Sequence, residues 1–200
     1  MLSGMTRRYT EMQLDALREL ANVASGTAAT ALSQMLGREI GLNVPRAQAL
    51  ALADAVVAVG DPAQTVSAVA LALEGDIGGL VVLLIPLSHA GTLCELLGVE
   101  AGTSVGDSAL AEIGNILGAS FLNALSSMTG LSLEPSTPEL TTDVLGSVLG
   151  SLLAQTAGHG DTALVLDSEI DVAGAPCSIS FMLLPDADGV TGLLAPLGLA

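Results

Sequence analysis

A polar motif that occurs twice constrains this chain more than any other feature of its sequence. The first copy is Asp15, Glu19 and Asn22, followed by a gap of 22 residues and then Pro45. The second copy lies 93 residues further on and has the same internal spacing: Ser108, Glu112, Asn115 and Pro138. A spacing this long, repeated in register, indicates two related halves.

Each copy begins on a predicted helix. Thr10 and Gln13 form a capping-box pattern, and apolar residues then recur at three- and four-residue steps as far as Gly37. A second long helix is predicted to begin within 104–108 and to end at Gly130. Positions i, i+4 and i+7 lie on one side of a helix, so each polar trio occupies a face separate from the apolar stripe.

The segments between and after the helices have strand patterns. The spacing at 39–52, around Pro45, predicts an edge strand or the start of a strand. Apolar runs at 66–73 and 80–85 flank a glycine-rich loop and predict a β-hairpin, which 163–170 and 177–184 repeat. The offset between the hairpins is 99, which predicts an insertion of about six residues within 139–160. A helical pattern in that segment has no obvious counterpart in the first half.

Together these elements predict an α+β fold. Its two pseudo-symmetric halves, each a long helix with a strand and a β-hairpin, share one antiparallel sheet that the helices cover. We expect a single domain over residues 1–200, with an internal repeat of about 10–98 and 104–198.

Composition limits the partners. The chain has 21 acidic residues against five arginines and no lysine, a formal charge of −16. Such a charge repels nucleic acid and anionic lipid, and it favours a partner that presents cations. No apolar run is long enough to span a bilayer, and we expect no membrane insertion. Cys94 and Cys177, in apolar surroundings, are expected to be buried free thiols, and the protein is predicted to be soluble and cytoplasmic.

The residues of the two trios restrict the chemistry. Each site offers a carboxylate, a carboxamide and one short polar side chain, with no adjacent His, Cys or Lys in the sequence. Nucleophilic catalysis needs an activated nucleophile beside a base, and a metal site needs more hard ligands. A Glu can bind a cation on another molecule, and an Asn amide can hold a water in line for attack. Phosphoryl transfer fits, because its catalysis is largely positioning and electrostatics.

The two motifs resemble the signature motifs of the CheC family of phosphatases, which includes the CheX and FliY groups and acts on phosphorylated CheY in chemotaxis. The resemblance covers nearly the whole chain. The second copy, with Glu112-Ile-Gly-Asn115, follows the family pattern closely. The first departs from it, since Ala21 and Ala24 stand where the family usually has Gly, and Thr27 where Asn is common.

The resemblance implies a role for each catalytic position. Glu19 and Glu112 would contact the conserved lysine in the active site of a phosphorylated CheY-type response regulator. Asn22 and Asn115 would insert beside the phospho-aspartate and orient the attacking water. The chain would need no cofactor of its own, and Mg²⁺ is expected in the active site of the partner.

The remaining motif positions have supporting roles in this interpretation. Asp15 and Ser108 would supply a further contact to the partner, and Pro45 and Pro138 would set the backbone after each helix. Family members also bind CheD, a receptor deamidase, and we expect that contact at the extra helix between Thr142 and Ala154.

Three alternatives stay open. The same faces could serve a non-catalytic adaptor that binds the phosphorylated regulator or CheD. A flagellar-switch component like the FliM middle domain is less favoured, because such a module does not need intact Glu-x-x-Asn sites. The apolar stripe at 144–153 fits either a core face or a docking face.

Glycines inside the helices, namely Gly26, Gly114 and Gly118, indicate close packing or close approach of a partner.

Overall fold

The structure is a computed structural model that describes residues 10–155, 162–172, 175–186 and 189–199. Within these ranges the helices are α1 (Glu11–Leu36), α2 (Leu52–Ala58), α3 (Leu87–Leu96), α4 (Ser104–Thr129), α5 (Leu145–Gln155) and α6 (Gly189–Leu194). The strands are β1 (Ile40–Ala51), β2 (Thr65–Gly75), β3 (Gly79–Pro86), β4 (Leu133–Pro135), β5 (Glu139–Val144), β6 (Thr162–Val172) and β7 (Ala175–Pro185). No helix in the described ranges is long and apolar enough to cross a lipid bilayer.

The two long helices have matching ends. Both α1 and α4 have 26 residues, and every boundary of α4 lies 93 residues after that of α1. Thr10 caps α1 through the predicted capping box with Gln13. The second cap is Thr103, whose Oγ accepts from the Gly106 amide, so the prediction of a start at 104–108 placed the cap one residue too late. Both helices end on a left-handed glycine, which has no Cβ to oppose that conformation.

The seven strands form one antiparallel sheet, as predicted. Its order is β1-β6-β7-β3-β2-β4, and β5 also pairs with β2. The order is symmetric about the β7–β3 pair. In this symmetry β3 corresponds to β7, β2 corresponds to β6, and the edge strand β1 corresponds to β4 together with β5. The predicted fold class is thus confirmed. The first strand of each half pairs with the hairpin of the other half, which is why we propose that residues 1–200 fold as one domain.

The repeat continues into the segment after each edge strand, where the sequence showed no match. Helix α2 begins at Leu52, and α5 begins 93 residues later at Leu145. The prediction that α5 has no counterpart was therefore wrong. Helix α5 has 11 residues and α2 has seven, and β6 begins 97 residues after β2. The insertion before β6 is thus one helical turn of four residues and not about six. Because α2 and α5 are short and share little sequence, their correspondence could not be recognised from the sequence.

The helices lie on both faces of the sheet and form two apolar cores. On one face α1, α3, α4 and α6 pack over strand residues such as Val69, Leu83 and Phe181. On the other face α2 and α5 cover a smaller core. The apolar stripe of α5 is buried there: Leu145, Val148, Leu149 and Leu152. The stripe is a core face, which decides one of the alternatives left open by the sequence.

Candidate functional site

The first polar trio lies on the outer face of α1. Asp15, Glu19 and Asn22 are all exposed, while Leu20 and Ala21 between them are buried. The helix thus has its apolar stripe on the core and leaves a carboxylate and a carboxamide, three residues apart, accessible to a partner. The predicted side-chain grouping is present within this helix.

The second trio lies on α4, which packs beside α1 on the same face of the sheet. Ser108 and Glu112 are exposed, whereas Asn115 is half-buried. The two sites therefore have the same Glu and Asn on helices of the same length, but the second amide is more enclosed by its surroundings than Asn22 is.

The residues at the start of the two trios have different partners. Asp15 accepts a hydrogen bond from the Arg18 guanidinium, with 2.9 Å between Nη1 and Oδ1, as an exposed ion pair. Ser108 donates to the carbonyl oxygen of Ser104 at 2.8 Å within its own helix. Arg18 thus adds a cation to the first site only, because Ala111 stands at its counterpart position. Arg18 was not among the predicted site residues, although its spacing of three from Asp15 was a signal.

Helix α4 lies very close to the sheet. A Cβ added at Gly114 would lie 2.5 Å from Cγ1 of Val69, and one at Gly118 would lie 3.0 Å from Cδ1 of Leu71. No side chain fits at the first of these positions without movement of β2. The two glycines thus explain how α4 packs, and they lie next to Asn115 and one turn beyond it.

Helix α1 packs on small side chains and leaves space below it. Ala21, Ala24 and Ala28 line an apolar cavity of about 30 Å³ between α1, α4 and the sheet. Phe121 of α4 borders the same cavity and packs against Phe181 of β7, with the ring centroids 4.4 Å apart and the ring planes tilted by 52°. The cavity therefore lies between the two helices, with small side chains on the α1 side and the larger Leu117 and Phe121 on the α4 side.

Each motif proline lies at an irregularity in an edge strand of the sheet. The pairing of β1 with β6 changes register between Asn43 and Arg46, on either side of Pro45. Pro138 lies in the break between β4 and β5. Proline cannot donate to a strand ladder, so it suits both breaks. The side chain of Pro45 lies outside the described part of the structure, and the roles of both prolines stay predictions.

The thiols and the histidine of the described ranges lie outside both trios. In the part of the chain described, no group of three or more His, Cys, Asp and Glu side chains could hold a metal ion. Cys94 and Cys177 are buried free thiols, as predicted. Burial, and for Cys94 also the charge of Asp107, raises the pKa of each thiol above its usual value, which opposes formation of the reactive thiolate. His89 contacts the backbone of Ser178 through Nδ1.

These observations define a class of protein. It has a pseudo-symmetric α/β/α fold, and each of its two long helices has a Glu followed three residues later by an Asn. The comparisons with known proteins place this chain within that class: it belongs to the CheC-like family. The family profile matches residues 12–47 and 105–141, the two segments that contain the trios.

Individual relatives agree with this assignment. The chain is 34% identical over 198 residues to the CheY-P phosphatase CheC of Bacillus subtilis, covering 94% of this chain and 95% of that protein. Thermotoga maritima FliY has a similar structure, with a TM-score of 0.78, 21% identity, and coverage of 96% and 98%. The FliM middle domain from H. pylori has a TM-score of 0.68, 12% identity, and coverage of 94% and 99%. The latter two identities are low, so these structures show the shared fold alone.

Proposed function

We propose that this chain is a protein phosphatase that hydrolyses the aspartyl phosphate of a CheY-type response regulator. The observation that carries the proposal is the repeated Glu/Asn pair, exposed on the first helix and with a half-buried Asn on the second, at the same positions of two 26-residue helices. The relative named a CheY-P phosphatase, at 34% identity over nearly the full length, supports it.

In the proposed mechanism the glutamates bind the receiver and the asparagines position the attacking water. Glu19 or Glu112 pairs with the lysine of the receiver active site, which fixes the receiver against the helix. Asn22 or Asn115 then holds a water through its amide, in line with the phosphoryl group. The water oxygen forms a bond to phosphorus while the bond from phosphorus to the aspartate oxygen breaks, giving inorganic phosphate and the free carboxylate. Mg²⁺ bound in the receiver would supply charge neutralisation at the phosphoryl oxygens.

The residues at the start of each trio support this docking differently. Asp15, already paired with Arg18, offers the receiver a carboxylate and a guanidinium together. Ser108 donates within its own helix and keeps its oxygen lone pairs for a partner. We propose that both contact the receiver beside the catalytic pair.

We further propose that CheD binds α5 through its polar outer side. The apolar stripe of this helix is used in the core, so a partner would contact exposed residues such as Ser147, Ser151 and Ala154. A cytoplasmic location accompanies this proposal and stays a prediction from the sequence.

Replacing the asparagines tests the proposed activity. Phosphate release from a phosphorylated CheY-type receiver is measured with the unmodified protein, Asn22→Ala, Asn115→Ala and the double variant. We expect the double variant to lose at least about a hundredfold in rate, since a misplacement of the attacking group by about 1 Å can cost about this much. Asn43→Ala changes an exposed asparagine on β1 outside both sites and serves as the control.

Two outcomes contradict the proposal. Full activity in the double variant would show that the asparagines do not position the attacking water. If the unmodified protein binds the phosphorylated receiver but never accelerates phosphate release, and Glu19→Ala with Glu112→Ala abolishes binding, the adaptor alternative is correct.

A further inference from the structure

Gly26 is an exposed glycine inside α1 that has no structural reason within the described chain. It lies four residues, one helical turn, after Asn22. A Cβ added to Gly26 would meet no described atom within 4 Å. Its carbonyl accepts a hydrogen bond from the Thr30 hydroxyl at 3.0 Å, a contact that any residue type could make.

The other helix-interior glycines near the sites differ from Gly26. Gly114 and Gly118 are buried, and a side chain at either would press on Val69 or Leu71. An exposed glycine in a helix interior is unfavourable because it increases the entropy lost on folding and leaves the backbone hydrated. Packing among the residues that the structure describes does not account for Gly26. We therefore take contact with another molecule as the physical reason for a bare backbone there.

The surroundings of Gly26 are suited to such a contact. Met12 and Val23 are 68% and 43% exposed, and at helical spacing they fall on the same side of α1 as Glu19 and Gly26. Exposed apolar side chains beside a charged binding residue are typical of a protein interface. The corresponding surface of α4 has Val105, which is 60% exposed, and Ile116.

The counterpart of Gly26 on α4 is Ala119. The two sites thus agree in Glu, Asn and flanking apolar residues. Besides the differences at the start of each trio, they differ by a methyl group one turn beyond the catalytic amide. We infer that Gly26 is a specificity-determining residue of the first site, where the backbone of the phosphorylated receiver comes closest to α1. This inference rests on the proposed phosphatase function. Ala119 holds the same partner further from α4, so the two sites bind the receiver in different poses.

The test isolates the first site. In an Asn115→Ala background, Gly26→Ala and Gly26→Leu are assayed for dephosphorylation of a purified CheY-type receiver charged with a small acyl-phosphate donor. We expect kcat/KM to fall about tenfold with Ala, mainly through KM because docking is affected, and further with Leu. Thermal unfolding of Gly26→Ala should show a Tm about 2 °C higher, since alanine favours the helix. A loss of activity in a more stable protein cannot come from misfolding.

Two controls separate this inference from the proposed function. Gly91→Ala places a methyl in open space on α3 and should leave kcat/KM unchanged. Asn22→Ala in the same background reports whether the first site catalyses at all. If Asn22→Ala abolishes turnover while both Gly26 variants keep the KM and kcat of the background, the phosphatase function holds and the inference about Gly26 is wrong. If Asn22→Ala has no effect, the proposed catalytic role of the first site fails.

Discussion

Helices α1 and α4 have the same length, the same type of caps and the same polar positions, yet they are supported differently. Helix α4 lies against β2 through Gly114, with no space for a side chain. Helix α1 packs through alanines, and an apolar cavity of about 30 Å³ lies between these alanines, Leu117 and Phe121 of α4, and the sheet. Two surfaces with nearly the same chemistry therefore stand on different side-chain packing. We expect the second site, whose helix lies directly against β2, to hold its amide more firmly.

The largest effect is expected at Phe121, which fills space beneath α1 where the repeat counterpart on α1 is Ala28. Phe121→Ala should reduce the free energy of unfolding by about 3–5 kcal/mol, because the existing cavities would enlarge. Urea denaturation measures this. Ala28→Gly, the counterpart truncation, should cost about 1 kcal/mol through helix propensity alone. Equal losses in the two variants would show that the helices are supported equally.

Gly114→Ala tests the close packing of α4. The added Cβ would lie 2.5 Å from the Val69 side chain, and such overpacking should cost about 1–3 kcal/mol in urea denaturation. Val69→Ala in the same protein should restore part of this loss because it removes the nearest atoms. An unchanged or increased stability of Gly114→Ala would mean that α4 can move away from the sheet freely.

The single asparagine variants compare the two sites in catalysis. The rates of two separate sites add, so we expect Asn115→Ala to lower phosphate release about tenfold and Asn22→Ala to lower it by only about a tenth. The half-buried amide on the closely packed helix is better positioned and supplies most of the rate. Initial rates at saturating phosphorylated receiver provide the measurement. The reverse order would show that packing below the helix does not control the site above it.

The smallest effect is expected at Arg18. Arg18→Ala removes an exposed ion pair and reproduces the alanine at the counterpart position of α4. The free energy of unfolding should change by less than about 0.5 kcal/mol, and added salt should weaken even that effect. Thermal unfolding at low and high salt checks it. A loss above 1 kcal/mol would mean that Arg18 supports α1 rather than the partner surface.

Local sequence patterns determined the helices, the hairpins and the positions of the polar residues. Capping residues, apolar periodicity and a terminal glycine act over a few positions, so the ends of α1 and α4 could be predicted to within a residue or so. The trios could be predicted for the same reason, since a spacing of three or four fixes which side chains share a helix face.

Only the tertiary structure decided how the halves combine. Strand β1 pairs with the hairpin of the second half, and β4 and β5 pair with the hairpin of the first half. These pairings join segments that are distant in the sequence, and local patterns carry no signal for them. The same holds for α5, whose apolar stripe fits a core or a docking face until the sheet is seen to cover it. The different supports of the two sites also needed the structure, because the space at Gly26 and its absence at Gly114 depend on what lies next to each glycine after folding.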